Sequence, residues 1–171
     1  MKFKVVPEPR SLRFVREVTL AVPLVPGSED DCCARLVADT PIASRDAARE
    51  WLTFLRALGP VAESDGKYYQ TRADLDDTDL ARAFRERVHP VADLLAVLDT
   101  AAADGETPLT PEDAYERVRE RVPHWERSRR TDWEDVWLER TGRALAWSVE
   151  FGFAQRVDGG YRPTDDPPAT E

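Results

Sequence analysis

Apolar residues recur along most of this chain with the three-to-four-residue spacing of amphipathic helices, and capping residues precede the apolar stretches. Ser11, Ser28 and Ser44 each stand before one of the first three stretches, which predicts three helices. The third helix is expected to end at Gly59, because glycine readily adopts the left-handed conformation of a helix terminus and a proline follows it. Residues 12–24 also allow a strand, but that alternative would place an arginine on the apolar side.

Two short hairpins are predicted, each directly after a helical stretch. The first has Asp65-Gly66 at its turn, a pair that supplies the positive φ angles of a tight turn. The second is centred on Asp158-Gly159-Gly160. Helices with small β-hairpins make the predicted fold class mainly α, formally α+β.

A helical connector is predicted between the two hairpins. Its apolar positions are interrupted at His89-Pro90, where the proline would kink or restart the helix. Thr110-Pro111 then predicts another helix start, since proline favours the first helical position.

The segment before the second hairpin is predicted to contain two helices. After an arginine-rich loop at 124–133, Thr131 would cap the first of them. Residues 140–142 read as a turn, and a further helix would run from Arg143 to Gly152. This is helix–turn–helix order followed by a hairpin.

The two hairpin regions repeat each other. Residues 51–71 align without gaps with residues 144–164 at a constant offset of 93, and the identical pairs are Leu52/Leu145, Gly59/Gly152, Asp65/Asp158, Gly66/Gly159, Tyr68/Tyr161 and Thr71/Thr164. The repeat predicts two small domains. The expected organisation is an N-terminal helical extension (1–27), a first domain (28–74), a helical connector and linker (75–107), a second domain (108–164) and a disordered tail (165–171).

Each repeated unit, a helix followed by a hairpin, resembles the back half of a winged helix, a fold found in many bacterial and archaeal transcription regulators. The resemblance implies that the helix before the hairpin enters the major groove of DNA and that the hairpin, or wing, contacts the backbone or the minor groove. By position, the groove helices would be 44–58 and 143–151, and the wing tips would be 65–67 and 158–160. The first domain leaves little room for a short middle helix, and neither wing is basic beyond Lys67.

Charge composition points to a high-salt environment. The chain has 24 basic and 33 acidic residues, for a net charge of −9, and its only lysines are Lys2, Lys4 and Lys67. A surface rich in Asp, Glu and Arg but poor in Lys resembles proteins of salt-accumulating haloarchaea, although bacteria with GC-rich genomes also replace lysine by arginine. Near 1 M salt the screening length is only about 3 Å, so an acidic balance does not exclude nucleic acid as a partner.

Arginines supply the candidate DNA contacts, because guanidinium groups suit phosphate and guanine acceptors. Three fall on one flank of the first groove helix, a cluster lies in the loop before the second, and Lys67 is at a wing tip. The candidates are Arg45, Arg49, Arg56, Lys67, Arg127, Arg129, Arg130 and Arg143. The alternative for each arginine is a solvated surface with local ion pairs to neighbouring acids.

Other classes of function find little support in the sequence. Cys32 and Cys33 are adjacent and form no disulfide framework, which fits a reducing cytoplasm. No spaced metal-ligand pairs, phosphate loop or nucleophile motif is present, so no catalysis, cofactor or metal is expected. No apolar run reaches the length of a membrane span.

The sequence therefore predicts a non-enzymatic, cytoplasmic regulator that binds double-stranded DNA. The alternative is a protein-interaction or scaffold module of the kind found in condensin-like and transcription-initiation assemblies. A homodimer or protein partner would then use the tryptophan-rich second domain, which contains Trp125, Trp133, Trp137 and Trp147.

Overall fold

A computed structural model describes residues 3–122, 127 and 131–169, except for the side chain of Arg121. Contacts between Cα atoms divide the chain into two units, with the boundary between Val88 and His89. The predicted connector is therefore split between the units, its first helix belonging to unit 1 and its second to unit 2. Which residues suffice for either domain to fold alone stays a prediction.

Unit 1 contains four helices and a three-stranded sheet among its described residues. In chain order the elements are α1 (Leu12–Ala21), β1 (Gly27–Ser28), α2 (Glu29–Asp39), α3 (Arg45–Leu58), β2 (Val61–Ser64), β3 (Lys67–Gln70) and α4 (Asp77–Arg87). The strands are antiparallel in the order β1-β3-β2. Residues 12–24 are thus helical over most of their length, and the strand alternative is wrong.

Unit 2 repeats the element order of unit 1, but its third helix is longer. Its elements are α5 (Val91–Ala103), α6 (Pro111–Val118), a 3₁₀ turn (Arg119–Arg121), α7 (Trp133–Glu150), β4 (Ala154–Val157) and β5 (Gly160–Pro163). Leu109 pairs with Tyr161 in the position that β1 occupies in unit 1, where Gly27 pairs with Tyr68. Each unit therefore has the helix, strand, two helices and hairpin of a winged helix.

Local sequence explains where these helices begin. The side chains of Ser11, Ser28, Ser44 and Thr110 each accept a hydrogen bond from a backbone N–H in the first turn of α1, α2, α3 and α6. All four helix starts were predicted from these residues, and the structure confirms them.

The helix ends and wings are also confirmed. Gly59 and Gly152 end their helices with φ angles of 108° and 84°, and Asp65 and Asp158 have φ angles of 53° and 51° at the hairpin turns. The hydroxyl of Thr71 donates to the carbonyl of Gly59 at 3.0 Å. Thr164 donates in the same way to Gly152 at 2.7 Å, so the repeated residues make the same contacts in both units.

The predicted division of residues 131–152 is wrong. Helix α7 runs without interruption from Trp133 to Glu150, and Asp132 rather than Thr131 stands at its N-cap. Thr141 is 1 % exposed, and its hydroxyl donates to the carbonyl of Trp137 at 2.8 Å, inside the helix. Packing of α7 against α6 and α5 thus outweighs the local turn preference of Thr141 and Gly142.

Each unit has its own core beneath these helices. In unit 1 the ring of Trp51 makes edge-to-face contacts with Phe14 and Phe54. In unit 2 the rings of Trp147 and Phe151 stack. The free thiols of Cys32 and Cys33 are buried in unit 1. None of the described helices is long and apolar enough to cross a membrane.

Candidate nucleic-acid interface

Two candidate arginines lie together at the N-terminal end of α3. Arg45 forms an ion pair with Asp30, and the Nε of Arg49 donates to Glu29 at 2.7 Å. Both acids belong to the first turn of α2, where carboxylates interact favourably with the helix dipole. Because α2 packs against α3, this acidic turn lies beside the two guanidinium groups.

These ion pairs are open to solvent. The side chains of Arg45 and Arg49 are 55 % and 51 % exposed, and those of Asp30 and Glu29 are 76 % and 40 % exposed. The hydrogen bond to Glu29 raises the pKa of Arg49, so this guanidinium remains charged. Exposed pairs of this kind contribute only about 0–1 kcal/mol.

Arg56 lies apart from the other two arginines. It is seven residues beyond Arg49, a distance of about 10 Å along the helix axis. Its guanidinium is 3.5 Å from Glu63 on β2 and 5.5 Å from the ring centroid of Phe3. The structure therefore brings Arg45 and Arg49 together and places Arg56 against the wing.

The first wing carries one exposed base. Lys67 begins β3, opposite Ser64 and Ser28, and has no ion-pair partner within the described part of the chain. Burial raises the pKa of the neighbouring Tyr68, and the charges of Glu29 and Glu63 raise it further. The base of the wing is thus partly apolar and bordered by acids, whereas its tip carries one base, Lys67, and one acid, Asp65.

The third helix of the second unit begins at a different residue from the predicted groove helix 143–151. Because α7 begins at Trp133, its N-terminal turns lie ten residues before Arg143. Arg143 is in the middle of α7, is 23 % exposed, and forms an ion pair with Glu139 at 3.1 Å. The predicted groove helix 143–151 is therefore only the C-terminal half of the third helix of this unit.

The arginine-rich loop is described only in part. Arg127 donates from Nη2 to the carbonyl of Arg119 at 2.9 Å, and its guanidinium is 5.2 Å from the ring centroid of Trp133. Arg119 forms an ion pair with Glu134 in the first turn of α7. Arg129 and Arg130 lie outside the described residues.

The tryptophans of unit 2 are mainly core residues. Trp137 is 2 % exposed and Trp147 is fully buried, whereas Trp133 packs partly buried against the cluster of Tyr115, Val122 and Trp137. Trp125 lies outside the described residues. Trp137 and Trp147 therefore offer no surface to a partner, although they were candidates for a docking face.

Sequence reasoning missed the acidic turn of α2 as part of this interface. Glu29 and Asp30 are separated from their arginine partners by 20 and 15 residues along the chain. The signal was present as three consecutive acids at a helix start, but only the packing of α2 on α3 brings them to the arginines. Among the described residues, no group of three or more acidic, histidine or cysteine side chains could hold a metal ion.

The whole chain is similar to one family of known proteins. The model of the halobacterial double winged helix domain matches residues 1–167. This match agrees with the repeated element order of the two units and with the composition of the chain. No curated protein and no solved structure matches the chain.

Proposed function

Because the chain belongs to the halobacterial double winged helix family, we propose that it is a transcriptional regulator that binds double-stranded DNA. The α3 helix of the first winged helix would enter the major groove, and the wing would contact the DNA backbone. Such a role would place the protein in the cytoplasm and requires no catalysis or cofactor.

The observation that carries this proposal is the pair of guanidinium groups at the N-terminal end of α3. In helix–turn–helix proteins the N-terminal end of the recognition helix, which corresponds to α3 here, contacts base edges. Arg45 and Arg49 are about half exposed, and each holds a carboxylate of α2. A guanidinium binds carboxylate, phosphate and guanine through the same parallel donors, so a DNA acceptor can replace the carboxylate.

Salt concentration determines which kind of DNA binding to expect. At low salt the net charge of −9 opposes association with DNA. In molar salt this repulsion is screened beyond about 3 Å, but the gain from counterion release is also lost. Binding should then depend on contacts to bases and should be specific for sequence.

Selection from a random duplex library in molar KCl tests the proposal. We expect the parent protein to enrich one sequence motif. Substituting alanine for both Arg45 and Arg49 should weaken binding to that motif by about 5- to 150-fold for each lost base contact. The matched control removes two other positive charges of unit 1, at Arg72 and Arg85, and should retain the parent affinity. If the parent and the Arg45/Arg49 variant bind the selected motif with equal affinity, α3 does not contact the DNA.

The remaining candidates have backbone roles in this proposal. Lys67→Ala should weaken binding to all sequences about equally and lower the salt slope by about one unit. Arg56, Arg127, Arg129, Arg130 and Arg143 would contribute at most phosphate contacts. Arg56→Ala should therefore have a smaller effect on sequence preference than the Arg45/Arg49 variant.

A second candidate function is that of a protein-interaction module. It is favoured by the carboxylate partners of Arg45, Arg49 and Arg56, which compete with DNA, and by large apolar side chains exposed on unit 1. Failure to enrich any motif between low and molar salt would favour this function. Enrichment of a single motif that depends on Arg45 and Arg49 would rule against it.

A further inference from the structure

Unit 1 exposes an apolar strip where α1 leads into β1. Leu20, Leu24 and Val25 are 74 %, 52 % and 70 % exposed, although each is a large hydrophobic residue. Only Val37, at 39 %, joins them as an exposed large hydrophobic residue in the described part of the chain. The exposed apolar surface is therefore concentrated at one place, which is a sign of an interaction site.

An apolar groove of about 330 Å³ begins at this strip. Its lining includes Leu20 itself, together with Val15, Pro60, Leu75 and Leu80. The side-chain amide of Gln70, another lining residue, donates to the carbonyl of Val22 at 2.7 Å. This bond holds the chain that carries Leu24 and Val25 beside the groove.

Two polar side chains that line the groove make hydrogen bonds within the protein. The hydroxyl of Thr19 donates to the carbonyl of Val15 at 2.8 Å, and Arg16 donates to Asp77 at 2.6 Å. The hydroxyl hydrogen of Thr19 and one N–H of the Arg16 guanidinium are thus already used within the protein. The groove suits apolar side chains such as those of the adjacent strip.

The charges beside the strip are balanced, and they are complementary to the same charges on a second copy. Arg13 and Glu17 are one turn apart on the exposed face of α1, with side chains 90 % and 54 % exposed. In a two-fold contact, residue i of one copy meets residue j of the other and the reverse. Arg13 of each copy can therefore pair with Glu17 of the other, whereas most of a surface with a net charge of −9 would repel a second copy.

We propose that this face binds the same face of a second copy of the chain. Leu20, Leu24 and Val25 of each copy would pack into the groove of the other copy, and the Arg13 and Glu17 side chains would pair at its edge. One surface carries both a projecting leucine and an apolar groove, which is what a two-fold contact requires. The inference goes beyond the proposed function, since the contact involves neither α3 nor DNA.

Analytical ultracentrifugation of the full chain over a concentration series, in molar KCl without DNA, tests this inference. The parent should dimerise, and Leu20→Asp should raise the dissociation constant at least about 100-fold, because each dimer loses two buried leucines and each leucine is worth about 10- to 100-fold. Val37→Asp, which places the same charge on the other exposed hydrophobic residue, should leave it unchanged. Because Leu20 is exposed in the monomer, Leu20→Asp should unfold at nearly the same denaturant concentration as the parent when both are measured at concentrations at which they are monomeric.

Three results would overturn the inference. A parent that stays monomeric at all concentrations would mean that the strip serves a different protein. A dimer with the same dissociation constant in parent and Leu20→Asp would place the contact elsewhere, and so would equal weakening by Val37→Asp. None of these results depends on DNA binding, so the proposed function can fail or hold independently.

Discussion

Gly160→Ala should destabilise unit 2, because the backbone of Pro108 leaves no room for a Cβ atom at this position. A Cβ atom at Gly160 would lie 2.6 Å from the carbonyl oxygen of Pro108 and 2.7 Å from its carbonyl carbon. The backbone must therefore move apart at the point where Leu109 and Tyr161 exchange two hydrogen bonds of 3.0 and 2.7 Å. Overpacking costs about 1–3 kcal/mol, and each weakened hydrogen bond about 0.5–1.5 kcal/mol.

The expected loss in the free energy of unfolding is thus about 2–6 kcal/mol. Gly159→Ala is the matched control in the same turn, because no atom lies within 4 Å of its Cβ position and its φ of 81° imposes only a conformational cost. That cost is about 1–2 kcal/mol. The first wing tolerates a large side chain at the equivalent position, Lys67, which lies opposite Ser28.

Hydrogen exchange measured by mass spectrometry can localise the effect, which a single unfolding curve of two units cannot. Protection should fall in the segments containing Leu109 and Tyr161 in Gly160→Ala, and much less in Gly159→Ala. A Gly160→Ala variant that keeps the parent's protection and unfolding free energy would refute the close approach of Pro108 to the wing.

Three further predictions concern the repeat, the thiols and the ion pairs. Thr71→Val should lower the unfolding free energy of unit 1 by about 0.5–1.5 kcal/mol, and Thr164→Val should lower that of unit 2 by the same amount. Hydrogen exchange measures both losses, and unequal losses would contradict equivalent roles of the two hydroxyl groups. Burial raises the pKa of Cys32 and Cys33, so the unfolded chain loses these protons at a lower pH than the folded chain does. Denaturant titrations should therefore show the free energy of unfolding falling above about pH 8.5, and Cys33→Ala should reduce this fall. Arg117→Ala breaks a bidentate but exposed pair with Glu106 and should change the unfolding free energy by less than about 1 kcal/mol.

The local features of the fold could be predicted from the sequence because the residues responsible lie within a few positions of each other. Ser44 caps α3 through the N–H of Ala47, and Asp65-Gly66 fixes the wing turn. The equivalence of α1 and α5 could not be predicted in this way. Phe14, Val15, Val18 and Ala21 are buried in α1, and Leu94, Leu95, Leu98 and Ala101 repeat that spacing in α5 with only the alanine in common.

The long-range features needed the structure. Leu109 corresponds to Gly27 at a separation of 82 residues, whereas Tyr161 corresponds to Tyr68 at 93. The second copy therefore has eleven extra residues between its paired strand position and its hairpin, in the segment that includes the arginine-rich loop. The same limit applies to the interface, since the fold alone decides that Glu29 and Asp30 accept from Arg49 and Arg45.

Hydrogen exchange with and without the selected duplex tests the central claim most directly, namely that α3 of the first winged helix contacts DNA. The first N–H groups of a helix lack carbonyl partners within the helix, so a bound phosphate or base should slow their exchange. We predict new protection at residues 45–49 and at the wing tip 65–67. Protection confined to other segments, or none with any duplex, would contradict the account.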